Sequence, residues 1–376
     1  MSRSPADHSR HEDAAAARSD SAPHPDDKRK PTAPPQLSGR AWKYIFKRTL
    51  AEFSKDKCTD LAAALTYHTV LSIFPALLAL VSLLGVVGQA DATVKTIMQM
   101  IEGVASPQVA ETLRQPIQQL ANTPSAGLAL IVGLVGALWS ASGYVGAFGR
   151  AMNRIYEVDE GRPFYKLRPL MLLVTFVMLL LAVAMAILLV VSGPVARTIG
   201  DVVGLGDTAV LVWNIAKWPV LVLFAVVLIA LLYYGTPNVK QPKFRWLSLG
   251  SFLALVILAV ATLGFFFYVS NFGNYNKTYG AIGGVIVLLL WIWIANLSLL
   301  LGAEFDAEME RGRELQGGLP AAESVQLPPR DTAASDKRGL KEERVIEQGR
   351  ALRHASLKEA RDNGGDGDRD HDDKRR

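Results

Sequence analysis

The sequence predicts an all-α polytopic membrane protein, a bundle of six transmembrane helices flanked by disordered polar tails. The apolar run from Ala281 to Ala303 holds 23 residues, and a helix rising ~1.5 Å per residue needs about 20 to cross the hydrocarbon of a bilayer. Only Asn296 and Ser298 interrupt it, and neither is charged. Half of the 376 residues are hydrophobic and 20% are charged, yet the two classes are segregated. The polar ones collect in residues 1–40 and 311–376, whereas a soluble domain mixes both along each element. The net charge of +5 sits largely in short segments beside apolar runs, which points to membrane orientation and not to nucleic-acid binding.

Residues 1–37 are rich in Pro, Ala, Ser and mixed charge without apolar periodicity, so a disordered tail is expected. Acidic Asp7, Glu12 and Asp13 stand where a secretory signal would be basic, and no apolar segment follows, so the first span is expected to act as its own insertion signal. From Ser38 to about Asp56, Trp42, Ile45, Phe46, Leu50 and Phe53 share one helical face, with basic residues elsewhere. Such a helix lies on an anionic membrane surface or packs on the cytoplasmic end of the bundle.

The membrane domain is expected over 38–313, with spans at about 61–87, 127–148, 169–191, 210–234, 247–269 and 281–303. The first contains Pro75, a candidate hinge because it removes a helical hydrogen bond, and Ala62–Ala64, which permit close helix approach. Between the first two spans, residues 88–126 read as a pair of amphipathic helices on the far membrane face. Gly133, Gly136, Ser140, Gly143 and Ala147 form a small-residue packing stripe in the second span. Trp213 and Trp218, with Lys217, read as an interfacial belt at the start of the fourth. Residues 314–376 read as a charged, mostly disordered tail with one weak helix from Leu340 to Arg361.

Charge asymmetry sets the orientation. Arg150, Arg154, Arg162, Lys166 and Arg168 crowd the loop after span two, and Lys240, Lys243 and Arg245 the loop after span four. The loops after spans one, three and five hold only Lys95 and Arg114, then Arg197, then Lys277. The basic side is cytoplasmic, so both termini are expected there.

Polar groups within the spans mark the candidate site: Thr66, Tyr67, His68, Asn296 and Glu304. An ionisable group inside a span is costly and faces the bundle interior or a wet cavity. His68 is the single histidine outside the tails and the best candidate for a titratable group, although a hydrogen bond to another helix accounts for it more readily. Glu304 lies one residue beyond the last apolar run. Glu308 shares its face, while Asp306 and Glu310 share another. Apart from Glu304, these carboxylates read as solvated interfacial groups paired with Arg311 or Arg313.

Three stretches, LAAALTYHTVLSIFPALLALVSLLG, NRIYEVDEGRPFYKLRP and YNKTYGAIGGVIVLLLWIWIANLSLLLGAEFDAEMER, resemble the YihY/BrkB family of bacterial inner-membrane proteins, once labelled ribonuclease BN. The resemblance covers about residues 40–313 and implies a six-helix inner-membrane protein with cytoplasmic termini. Two positions depart from the pattern: His68, where relatives often carry a second tyrosine, and Asp306, where they often carry asparagine.

Chemistry narrows the function. A metal nuclease needs several histidines and aspartates at close spacing, and here five of six histidines lie in the tails. An intramembrane hydrolase pairing Ser140 or Ser142 with His68 lacks the G-x-S-x-G elbow, and no H-E-x-x-H occurs. The single cysteine, Cys58, excludes an intrachain disulfide and a thiolate metal cluster. No phosphate-binding G-x-x-x-x-G-K-[ST] loop is present. The expectation is therefore a non-enzymatic transporter or flippase-like protein, without cofactor or nucleic acid, whose partners are the bilayer and a lipid or amphipathic solute. A homo-oligomer is compatible with this pattern. The alternative is a structural or scaffolding membrane protein that uses the same polar groups as interhelical hydrogen bonds.

Overall fold

In the computed structural model the described residues are 22–86, 111, 126–190, 206–242, 244–271 and 275–366. They form α1 (Gly39–Lys55), α2 (Cys58–Val86), α3 (Ala126–Ile155), α4 (Phe164–Val190), α5 (Gly206–Gly235), α6 (Phe244–Asn271), α7 (Tyr275–Gln316) and α8 (Ala333–Asp366). The amphipathic pair expected over 88–126 lies outside the described residues apart from Glu111. Among the described residues, four helical stretches are long and apolar enough to cross a membrane: Phe164–Met185, Ile215–Gly235, Leu249–Val269 and Gly283–Gln316.

Helices α2 to α7 overlie the six expected spans and form a closed ring. Each packs on its chain neighbour and α7 returns to α2, while α3 also touches α5 and α7 across the interior. Much of the outer face is apolar, with Leu173 and Phe176 on α4, Trp218 on α5, Leu263 and Phe267 on α6, and Val285 on α7 all exposed. A soluble protein would bury such residues; here hydrocarbon is the solvent. Inside, Phe148 of α3 stacks on Tyr233 of α5 with centroids 5.9 Å apart, and the Tyr233 hydroxyl donates to the Leu299 carbonyl of α7.

Helix α1 starts at Ser38, whose hydroxyl accepts from the Ala41 amide, an ordinary N-cap. Its apolar face packs on α7, not only along a membrane surface: Ile45 is fully buried with Phe305 and Met309, and Trp42 and Phe46 lie against the Phe305 ring. Phe46 and Leu50 remain exposed on the same helix.

The largest difference from the sequence-based expectation is at the end of α7. The residue pattern places Asp306–Glu310 in water past the span, but α7 runs on unbroken to Gln316 and every residue from Ala303 to Glu314 is buried. Three layers cover this extension: α1, residues 22–37 and residues 319–332. Lys30, in the segment read as a disordered tail, is only 2% exposed; its Nζ lies 2.8 Å from Glu310 and 3.1 Å from Glu314. The Arg313 guanidinium pairs with Glu310 and donates to the Pro31 carbonyl. The Gln316 amide exchanges hydrogen bonds with Gln36 and Ser38. Segment 22–37 has too little apolar content to fold alone, and the charged face of α7 holds it.

Helix α7 ends with Gly318 at φ +76° and the Leu319 amide on the Glu314 carbonyl, the left-handed C-terminal arrangement that glycine accepts without strain. Helix α8, longer than the Leu340–Arg361 helix read from the sequence, is charged on all sides and exposed along most of its length.

Candidate functional site

Five span residues marked by the sequence fall into three places. The first is a hydrogen-bonded node inside the bundle. The Thr66 hydroxyl on α2 donates to the Ala62 carbonyl one turn earlier, at 2.8 Å. Its lone pairs therefore face outward, and one accepts from the Asn296 amide of α7 at 3.3 Å. The Asn296 carbonyl oxygen accepts from the Tyr144 hydroxyl of α3 at 3.0 Å. Three helices are joined by uncharged groups, all in one donor-to-acceptor order. Such bonds contribute about 0.6–1.7 kcal/mol each in a bilayer. Tyr144→Phe is thus expected to lower stability by about 1 kcal/mol while leaving the fold intact, measured by unfolding in detergent micelles.

Tyr67 and His68 stand outside this node. Tyr67 is 62% exposed, and the His68 ring meets it edge-on at 5.6 Å. His68 lies beside Gly143 of α3, where an added Cβ would come within 3.5 Å of its Nδ1. Helix α2 continues across Pro75 to Val86.

Glu304 belongs to a third place, eight residues and about 12 Å along α7 from Asn296. It is 1% exposed and accepts from the Cys58 thiol at 3.3 Å. Of the carboxylates beyond it, Asp306 accepts from the Gly250 amide, while Glu308 and Glu310 are ion-paired. Glu308 lies 2.9 Å from Arg311, whose guanidinium also faces Glu157 at 3.6 Å and donates to the Ala321 carbonyl. Nearby, Arg48 and Lys55 both pair with Glu52. Asp56 closes α1, and its burial, only partly offset by the Arg154 guanidinium 3.6 Å away, pushes its pKa up. The pairing of acids with Arg311 and Arg313 matches the sequence-based expectation, but solvation does not. Among the described residues, no three His, Cys, Asp or Glu side chains form a group that could hold a metal ion.

The stretch NRIYEVDEGRP forms a lattice at the same end. Helix α3 closes with Glu157 at φ 54° and the Val158 amide on the Asn153 carbonyl, a left-handed cap. The Asn153 side chain then accepts from the Asn238 amide at 2.7 Å and donates to Glu160. Asn238 donates onward to the Asp159 and Asp331 carbonyls, and Arg162 donates to the Thr236 carbonyl. Gly161 is required here, since a Cβ would sit 1.8 Å from the Asp331 carbonyl oxygen. Burial works against the Glu160 carboxylate, but its hydrogen bonds and charge pairing with Arg162 outweigh that and hold its pKa below the usual value. A depressed folded-state pKa stabilises the fold above the unfolded-state pKa, and that contribution is lost as pH falls through the folded one. Glu160→Gln is expected to flatten the loss of stability at acid pH, read from unfolding midpoints across a pH series.

Together these features define a polytopic all-α membrane protein with an internal polar node and a buried charged cap. The description "virulence factor BrkB" matches residues 49–325, and the chain belongs to that family. The ribonuclease-like protein YfkH of Bacillus subtilis (strain 168) is 30% identical over 273 residues, covering 73% of this chain and 96% of the relative. A UPF0761 membrane protein of Alkalilimnicola ehrlichii is 28% identical over 275 residues, 72% of this chain and 60% of that protein. Another, from Xanthomonas axonopodis pv. citri, is 29% identical over 304 residues, covering 78% and 66%. No solved structure matches the chain.

Tyr144 escaped the sequence-based selection. Its neighbours Ser140, Gly143 and Ala147 mark a packing stripe, and only proximity to Asn296 distinguishes it. Lys30 escaped for a similar reason, because its partners lie 280 and 284 residues away.

Proposed function

We infer that the chain is a six-span transporter or flippase-like protein of the bacterial inner membrane, with both termini cytoplasmic, that moves a lipid or an amphipathic solute. The observation that carries this is the Thr66–Asn296–Tyr144 node. Three helices of the ring meet through neutral, exchangeable hydrogen bonds at span depth, where polar groups are costly and are retained for function. Neutral bonds of this strength break and re-form at small cost when helices shift, unlike a buried ion pair. The buried ion pairs at the end of α7, Lys30 with Glu310 and Glu314 and Arg311 with Glu308, supply a firm base against which such shifts occur. The ribonuclease-like name belongs to the Bacillus relative, and the enzymatic role is not proposed for this chain.

A non-catalytic scaffolding role draws on the same node as fixed interhelical bonding, and on the charged cap as a static assembly surface. Reconstitution in liposomes separates the two. Flux of amphipathic solutes and lipid is compared for wild type, Asn296→Leu, His68→Ala and Glu304→Gln. Losing the node's bonding is expected to slow flux by up to about tenfold in Asn296→Leu. No flux from folded wild-type protein would favour the scaffold, and flux unchanged in all three variants would remove these residues from the mechanism. Reporters fused at either terminus are expected on the cytoplasmic side.

A further inference from the structure

The outer face of α2 and α3 carries an arrangement that the node does not use. Along α3, Val132, Val135, Trp139, Gly143, Gly146 and Arg150 follow at steps of three and four, so they form one stripe. The first three are exposed apolar side chains and Arg150 is an exposed cation. Between them the stripe loses its side chains at two glycines. A Cβ at Gly146 would lie 3.9 Å from Arg150 Nη1, so the guanidinium lies back along the helix over the glycine step, toward the apolar half. On α2, exposed Tyr67 and Leu71 form a parallel edge, and His68 closes the gap against Gly143. The result is a trough floored by glycine, with donors at one end and an apolar track at the other.

Among the described residues its charge is uncompensated: no acid pairs with Arg150, whereas Arg154 one turn on faces Asp56 at 3.6 Å. Asp60, exposed on the α2 edge, makes no ion pair with Arg150. A second cation adjoins the track, since the Arg168 guanidinium stands 5.3 Å over the Trp139 ring.

We propose that this trough binds an anionic phospholipid, with the headgroup phosphate on Arg150 beside Tyr67 and His68 and an acyl chain along Trp139 and Val135. A guanidinium matches phosphate oxygens two at a time, the phenol and imidazole add neutral donors, and the exposed apolar stripe takes the chain that a free phosphate lacks. The cationic surroundings disfavour a choline headgroup. This assignment rests on the transport role above and names its substrate class.

The test uses full-length protein in phosphatidylcholine nanodiscs containing a trace of photoactivatable phosphatidylglycerol, with cross-linked sites mapped by mass spectrometry. Cross-links are expected between residues 132 and 150 and between 64 and 71, competed by unlabelled phosphatidylglycerol and not by inorganic phosphate. Arg150→Gln is expected to reduce them by about tenfold, the loss of one charge-assisted contact. Arg150→Lys is expected to retain most of them, and Lys217→Gln, on a different helix, to leave them unchanged. Equal labelling by photoactivatable phosphatidylcholine, or labelling unaffected in a folded Arg150→Gln protein, would overturn the site. Competition by inorganic phosphate would overturn the lipid assignment. Labelling without lipid flux leaves the site standing and removes lipid transport; lipid flux without labelling does the reverse.

Discussion

Arg311→Ala is expected to destabilise the protein by about 3–5 kcal/mol, the range for removing one partner of a buried ion pair. Arg311 is 1% exposed and faces Glu308, Glu157 and the Ala321 carbonyl together. Alanine leaves Glu308 buried without its nearest cation; Arg48 Nε stands 4.0 Å from Glu308 Oε2, too far for a hydrogen bond. The same truncation removes the bond to the Ala321 carbonyl, one of the ties that hold residues 319–332 to α7. The loss is read from chemical unfolding in detergent, followed by tryptophan fluorescence. Replacing both members, Arg311→Met with Glu308→Leu, is expected to recover most of the stability, because apolar groups of similar volume need no solvation. A single variant as stable as wild type would show that the end of α7 is open to water.

Gly302→Ala is expected to cost about 1–3 kcal/mol, as overpacking does in a tight core. An added Cβ would lie 2.6 Å from the Ala254 Cβ, 2.7 Å from the Gly250 carbonyl oxygen and 2.8 Å from the Tyr233 hydroxyl. Two of these belong to α6, so the helices must separate. Gly250 repeats the situation one turn away, since a Cβ there would meet the Asp306 carboxyl at 2.2 Å. That carboxyl accepts from the Gly250 amide at 2.8 Å, which small residues on both helices allow. Ala254→Gly in the Gly302→Ala background is expected to restore part of the loss, and unfolding of the pair of variants checks it. Additive losses would place the contact elsewhere.

The helices were legible because apolar runs of span length allow few alternatives in lipid. Helices α2 to α7 lie where those runs are, and α1 where its amphipathic face begins. The node was half legible. Thr66 and Asn296 stand out as polar groups among apolar ones, whereas Tyr144 reads as one more aromatic in a helix of small residues. Tyr67, His68 and Glu304 lie apart from them: Tyr67 is exposed beside His68, and Glu304 accepts from Cys58. In the charged cap the pairing of acids with Arg311 and Arg313 was legible, but the burial was not. Whether a carboxylate past a span is solvated depends on what covers it, and the cover over Glu310 comes from Lys30 at the other end of the chain. Low apolar content predicts that a segment cannot fold by itself; it does not predict whether another surface will hold it. Asn153, Glu160 and Asn238 share this limit, because their bonds join loops that are distant in sequence.

The most direct test of a transport role follows labelled lipid in liposomes containing wild-type protein, with a membrane-impermeant reductant quenching the outer leaflet. If the bundle carries lipid, quenching continues past the outer-leaflet plateau and its rate rises with protein density. A plateau identical to that of protein-free liposomes, from protein shown to be folded and inserted, would contradict lipid transport and leave the node as a structural joint.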